Sequence, residues 1–591
     1  MKYGKWIILI LSGGATIYSC NKSNLSQPAL GSLDETKLAN KKGVEGLLIG
    51  AYSMLDGIGT NPLAFGASGS NWIYGSICGS EAYKGSSLKD QEDIGAIENF
   101  KATATNEDLS EKWLAVYTGV QRTNTLLRIL NKATGIEKAD SVQIAAEARF
   151  LRGHYHFEAI KIWNKVPYVD ETITYESDNF HLGNDSLIWP QIENDLKFAT
   201  NNLPDKMQAV GRANHYAAEA FLAKVYMFQQ KYDSAKPLLE DLITNGVTAN
   251  NTPYALEKYY EDNFNPATKN SAESIFAVQN SVNDGSGLNG NLGDRLNYPS
   301  SADGPGEGCC GFFQPSQYLV NHFKTDLSTG LPDLDNFNAN DVKTDTGYAS
   351  NDSSFIPYDG TLDPRLDWTV GRRGIPYLDW GIHPGSNSDW IRDQQNGGPY
   401  SPIKNVYYKR DQGRLSDASF WATSTSTNIN LIRFADIILW AAETEIEVGS
   451  LQKATDYVNQ VRRRMEDPSG WVHTYIDPSN PQAGFTLIPA ANYKIGEYPT
   501  FTTKEYARKA VRYERMLELG MEGHRFFDLV RWGIADTEIN AYILKEKNSR
   551  TYLNNARFQK GKNECFPIPQ TQIDLSAGPD GKQLLIQNPG Y

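Results

Sequence analysis

The sequence predicts a mainly α fold in which tetratricopeptide-like helical pairs form a scaffold and a large, irregular, loop-rich lobe is inserted into it. Three observations carry this. Apolar residues recur at spacings of three and four over long stretches on both sides of the middle of the chain. Two of those stretches are separated by a short turn and place small residues where their helices would cross, the pattern of a helical repeat. Between about residues 250 and 427 the periodicity fades, and Gly, Asn, Asp, Ser and Pro dominate.

Residues 1–19 read as an export signal. Lys2 and Lys5 precede the apolar run Ile7–Leu11, which is far too short to span a bilayer. Cys20 follows the small residue Ser19 and resembles the cysteine of a bacterial lipobox, whose thiol takes a diacylglycerol and becomes the new N-terminus. Residues 20–40 then form an acylated, polar, flexible tether. Residues 41–250 are the N-terminal helical part. Val44, Leu47, Leu48, Ala51, Tyr52 and Leu55 mark one buried face, and Trp113, Val116, Tyr117, Val120, Leu126 and Leu127 mark the next. Residues 143–163 make a third long helix. A pair follows, 216–230 and 232–243, with Ala217, Ala220 and Ala223 on its crossing face. Residues 428–591 are the C-terminal helical part, with a pair at 428–449 and 451–465 and a further helix at 505–520. The lobe, residues 251–427, offers only short strand-like runs at 274–279 and 406–409. Irregular stretches this long inside a compact protein are usually functional.

Composition narrows the function. There are 57 Lys and Arg against 70 Asp and Glu, a net charge of −13, which disfavours nucleic acid and anionic membrane surfaces as partners, since both need clustered cations. The 12 Trp, 32 Tyr and 23 Phe make up 11% of the chain, more than core packing alone usually requires. Loop 361–426 holds Trp368, Trp380, Trp390 and Trp421, a third of all Trp in about a ninth of the length, together with Tyr377, Tyr400, Tyr407 and Tyr408. Export permits disulfides. With Cys20 acylated, Cys78, Cys309, Cys310 and Cys565 allow three pairings. A vicinal bond between Cys309 and Cys310 would strain the peptide but make a stiff, apolar knuckle. Two free or separately paired thiols are the alternative.

Several tempting motifs carry no chemistry. His154 and His156 point about 200° apart on a helix and cannot share one ion. Gly285-x-Gly287-x-x-Gly290 lacks the helix a dinucleotide loop needs. Glu522, His524, Arg525 and Asp528 suit a buried salt-bridge corner between helices better than a catalytic site. No spacing reads as a metal site, and no cofactor is implied.

Segments spread through the chain resemble the SusD family, also called SusD/RagB, of Bacteroidetes outer-membrane lipoproteins. They are Ala145–Arg152 with Tyr155, Phe157 and Trp163–Pro167; Gly211–Ala213 with Ala217–Tyr226; Gly311–Pro315 running into Leu319 and Val320; Leu431–Ile437 with Glu443 and Asn459–Arg462; Arg512–Arg515 through Glu522–Gly533; Phe566–Gln570; and Gln587–Tyr591. The resemblance implies a tetratricopeptide-like scaffold with an irregular ligand-binding lobe. It also implies glycan capture beside a SusC-like TonB-dependent transporter, with the lipid on Cys20 holding the protein on the outer membrane, facing the cell exterior.

The aromatic loops fit such a ligand on physical grounds. A pyranose packs its C–H face on a flat Trp or Tyr, while its hydroxyls need Asn, Asp, Arg or backbone partners. The expected stacking surface is Trp72, Tyr74, Tyr83, Tyr377, Trp380 and Trp390, with Asn71, Asp379 and Arg392 among the hydroxyl partners. Packing in the core of the lobe is the competing role for each Trp. Two further functions are weighed against glycan binding. An exported glycoside hydrolase would need two carboxylates at a working separation, such as Asp389 and Asp393. A tetratricopeptide adaptor would bind protein only.

Overall fold

The computed structural model describes residues 35–59, 61–385 and 389–591. The export signal and Cys20 lie outside the described residues. Within the segment expected as tether, Glu35–Leu38 already forms a helical turn, so the folded body begins earlier than Asn40.

Eleven helices of the described chain build the scaffold: α1 Lys41–Tyr52, α2 Glu107–Leu130, α3 Lys138–Trp163, α4 Trp189–Asn202, α5 His215–Phe228, α6 Tyr232–Asn245, α7 Phe434–Val448, α8 Leu451–Arg463, α9 Lys504–Leu519, α10 Arg525–Arg531 and α11 Ala535–Glu546. Their starts are set by side chains that accept from orphaned backbone amides. Asn106 accepts from Leu109 N ahead of α2, Asn214 from Ala217 N ahead of α5, and Thr503 from Tyr506 N ahead of α9.

From α2 to α8 each helix packs on the next in sequence, as stacked pairs do, and α6 packs on α7 across the whole inserted lobe. Close crossings need small residues. A Cβ on Gly119 of α2 would lie 2.6 Å from the Tyr155 ring of α3, so only glycine permits that approach. Ala217, Ala218, Ala220 and Ala223 of α5 are fully enclosed.

The lobe is anchored at its ends. Strand Ser274–Val278 pairs antiparallel with strand Ile429–Arg433, which brings the entry and exit of the lobe side by side. The segment 428–449 is therefore a strand followed by a helix, not one continuous helix, because Ile429, Leu431 and Arg433 serve the sheet before α7 begins. The strand-like run 406–409 is not a strand; it leads into the tight turn Lys409–Asp411. A second small sheet pairs Ala82–Gly85 with Phe312–Pro315 and ties the loop after α1 to the lobe. The C-terminal segments strap back onto α3: Trp163 Nε1 donates to Pro567 O at 3.1 Å, and Asn588 Nδ2 donates to Trp163 O and Phe566 O.

Candidate functional site

The loops expected to carry a ligand surface do converge, but most of their aromatic rings face inward. Trp72 is 1% exposed; its Nε1 donates to Gly293 O at 3.1 Å, and its ring packs on Phe313 with centroids 5.6 Å apart. Tyr74 donates to Asp108 O at 3.0 Å. Tyr83 donates to Glu546 Oε2 at 2.6 Å and accepts from Gln317 N. Tyr377 donates to Pro402 O and meets Trp390 edge to face at 5.1 Å. Trp380 donates to Tyr407 O at 2.7 Å. Asn71 Nδ2 donates to Glu158 Oε2 at 3.0 Å, and Asp379 accepts from the backbone amides of Lys409 and Arg410. All six rings, Asn71 and Asp379 are buried. In this conformation they are core, a correction to the stacking role expected of them. Arg392 alone of the nine reaches solvent, with half its side chain exposed and Nη1 donating to Asp90 Oδ2 at 2.9 Å.

The physical reason is the lobe itself. A loop-rich body has many buried carbonyls outside ladders, and each must find a donor. Trp and Tyr supply apolar bulk and a donor together, and Trp72, Tyr377, Trp380 and Trp368 all spend their N–H or O–H on a main-chain carbonyl.

An open aromatic surface lies elsewhere in the same lobe. Phe420 and Trp421 are 48% and 49% exposed, with ring centroids 5.9 Å apart. They sit on the turn between the short strands Ser416–Asp417 and Ser424–Thr425. Phe65, from the loop after α1, braces Trp421 edge to face at 6.2 Å. Beneath them lies Arg295, 1% exposed, its guanidinium 4.8 Å from the Phe420 ring centre and 5.9 Å from that of Trp421. Its Nε and Nη1 have no hydrogen-bond partner. Burial disfavours its charge, partly offset by Tyr298 and Asp417. The arrangement backs an exposed apolar floor with an enclosed cation. In the sequence Trp421 stands out only as one of the lobe's aromatics. Two adjacent large rings directly after the run Ser416–Ser419 are the sequence signal for it, because neighbouring side chains of an extended chain cannot both face one core.

The vicinal cysteines are joined to one another, while Cys78 and Cys565 are free. The peptide beside them is pinned by Gly311 N donating to Tyr298 O and Ser300 N donating to Trp390 O.

The residues that invited a catalytic reading form an ionic corner. Arg433 bonds Glu273, Glu518 and Glu522; Arg515 bonds Asp436 and Asp528; Arg531 bonds Asp528 and Glu443. All are buried or nearly so, and the cations hold Glu518 and Asp528 well below the usual carboxylate range and Glu522 at about 2. His524 is held neutral by burial, at about 4. The charges are fully committed to joining the lobe to α7, α9 and α10. The hydrolase candidates are committed too: Asp389 accepts from Ser301 Oγ, and Asp393 accepts from the amides of Gln395 and Asn396 as a helix cap. A cavity of about 390 Å³ opens between α9, α10 and the segment around Phe337; of its cations, Arg508, Lys509 and Arg525 are paired with Glu447, Asp335 and Glu538, and Arg512 packs against the Trp532 ring.

Comparison with known proteins places this architecture. The family profile described as "Starch-binding associating with outer membrane" matches residues 41–227. SusD-like protein P25 of Formosa agariphila is 24% identical over 553 residues, covering 90% of this chain and 89% of that protein. A solved structure described as a laminarin binding SusD-like protein superposes with a TM-score of 0.64 at 22% identity, over 93% of this chain and 100% of that one. Surface glycan-binding protein A from Bacteroides thetaiotaomicron, in complex with laminarihexaose, superposes with a TM-score of 0.63 at 20% identity, over 93% of this chain and 99% of that one. The profile described as SusD family matches residues 272–591, which takes in the anchored end of the lobe, the ionic corner and the C-terminal straps. With more than half of its length matched by that profile, the chain belongs to the SusD family.

Proposed function

We propose that this protein is a non-catalytic glycan-binding lipoprotein that captures oligo- or polysaccharide at the outer membrane and passes it to a SusC-like TonB-dependent transporter. The observation that carries the binding role is the half-exposed Phe420–Trp421 pair over the unpaired Arg295 guanidinium. A sugar ring laid on those faces would stack over two rings backed by the enclosed Arg295 guanidinium. Arg392, beside the Cys309–Cys310 knuckle, is the part of the originally expected surface that remains open to a ligand. Laminarin and laminarihexaose, bound by the two structural relatives, and starch, named in the family description, are the first ligands to try.

Anchoring rests on Cys20 and delivery on the family. A lipid and a tether raise the effective concentration of the body over a transporter, so the contact between the two need not be strong in isolation. Among the described residues no helix is long and apolar enough to cross a membrane.

Two experiments test the proposal. The purified body is incubated with a polysaccharide panel: retardation without released reducing ends supports binding, sugar release revives the hydrolase, and neither leaves the protein-binding adaptor. Detergent extraction and pull-down from native membranes should recover a TonB-dependent transporter, and Cys20→Ala should move the protein to the soluble fraction. Recovery of no transporter with Cys20 intact would overturn the delivery role.

A further inference from the structure

The helix pair α5–α6 carries a cluster that glycan binding does not use. His215 opens α5 and Glu219 follows one turn later, so the two share a face. Asp241 meets them from α6. One ligand-capable atom from each of the three lies within 4.8 Å of the other two.

Three features mark this as more than a chance grouping. His215 Nδ1 sits 2.7 Å from Thr200 O. A carbonyl only accepts, so Nδ1 carries the proton and Nε2 presents its lone pair, the tautomer and second-shell bond typical of a metal-ligating histidine. Glu219 is 5% exposed and its Oε2 has no hydrogen-bond partner. The Tyr254 hydroxyl is likewise buried and without a hydrogen-bond partner.

Glu219 and Asp241 bring two carboxylates together at the His215 ring, with Glu219 enclosed. Buried carboxylates in contact are costly unless a counter-charge compensates them.

We propose that His215 Nε2, Glu219 and Asp241 bind one divalent transition-metal cation that clips α5 to α6. One imidazole nitrogen with two carboxylates suits zinc, whereas calcium and magnesium take oxygen ligands. Three protein ligands leave a position for water. The site belongs to the scaffold and stands or falls independently of what the lobe binds.

The test uses the folded body stripped with a chelator and titrated with zinc chloride, with bound zinc counted after dialysis. One saturable equivalent and a raised melting midpoint are expected, and calcium chloride should give neither. His215→Ala and Asp241→Asn should each lower zinc affinity by about 100-fold or more, with circular dichroism unchanged, because both side chains are partly exposed. Absence of a saturable equivalent in the unaltered protein overturns the proposal. So does an equivalent that survives both substitutions. Should His215→Ala fail to fold, Asp241→Asn decides alone.

Discussion

Removing the Trp421 ring isolates the binding surface from the fold. The ring is 49% exposed, and a buried Trp covers about 150–250 Å², so about 75–120 Å² is free for a ligand. At about 25 cal/mol per Å², full coverage contributes about 2–3 kcal/mol, and a sugar lying on one face contributes about half of that. Trp421→Ala should therefore weaken glycan binding by about 1–3 kcal/mol, roughly 5- to 160-fold. Calorimetric titration with whichever polysaccharide retards the protein most gives the affinity directly. The melting midpoint should stay close to that of the unaltered protein, since Trp421 is half exposed and touches the core only at its edge, against Phe65 and Arg295. Trp72→Ala is the contrasting variant, with its ring enclosed and its N–H bonded. Unchanged affinity in Trp421→Ala, with lost affinity in a folded Trp72→Ala, would refute the reasoning and restore the inner aromatics as the ligand surface.

Four further outcomes are expected. Trp72→Ala should destabilise the fold by about 3–5 kcal/mol, read from denaturant unfolding, because it empties a fully enclosed site. Arg295→Met keeps an apolar stem under the rings but removes the guanidinium that packs against both, so glycan affinity should fall about tenfold in the same titration as the platform loses its support. Glu518→Gln removes one partner from a buried network with Arg365, Arg433 and Arg464 and should cost about 3–5 kcal/mol. The last concerns pH. Burial raises Glu81, Asp108 and Glu261 to about 8 and Glu98 to about 7. These groups hold protons in the fold that the unfolded chain has released, so their contribution is full below about pH 4 and is lost as pH rises to 8. His154, His156 and His524, lowered to about 3, 4 and 4, act in the opposite sense but only below about pH 6.5. The melting midpoint should therefore fall between pH 6.5 and 8, and Glu81→Gln should flatten part of that slope; a midpoint that rises over this window contradicts the assignment.

How much was legible in the sequence follows from how each element is stabilised. Helices α1, α2, α3, α5, α6, α8 and α9 present apolar stripes to one another, and spacing alone reveals them. Helix α4 escaped because Pro190 and a polar run surround its Ile192, Leu196 and Ala199, too few positions to make a period. Helix α11 escaped because part of what it buries is polar: Glu546, bonded to Tyr83. The ionic corner was legible because a dense run of opposite charges inside a helical part has few other uses. The ligand surface was not, since counting aromatics cannot separate a ring that stacks on a sugar from one that donates to a loop carbonyl. Trp72 and Trp380 are enclosed and donate to carbonyls, whereas Trp421 is exposed and is the ring proposed to stack, and that difference in burial is set by tertiary packing.

The central claim, that the chain holds a glycan on the Phe420–Trp421 platform, is tested most directly by hydrogen exchange with and without a saturating polysaccharide. The account predicts protection concentrated at residues 416–425 and 291–298, with the neighbouring 57–71 loop following. Protection confined to 71–83 and 377–392, or no protection with any polysaccharide of the panel, would contradict it.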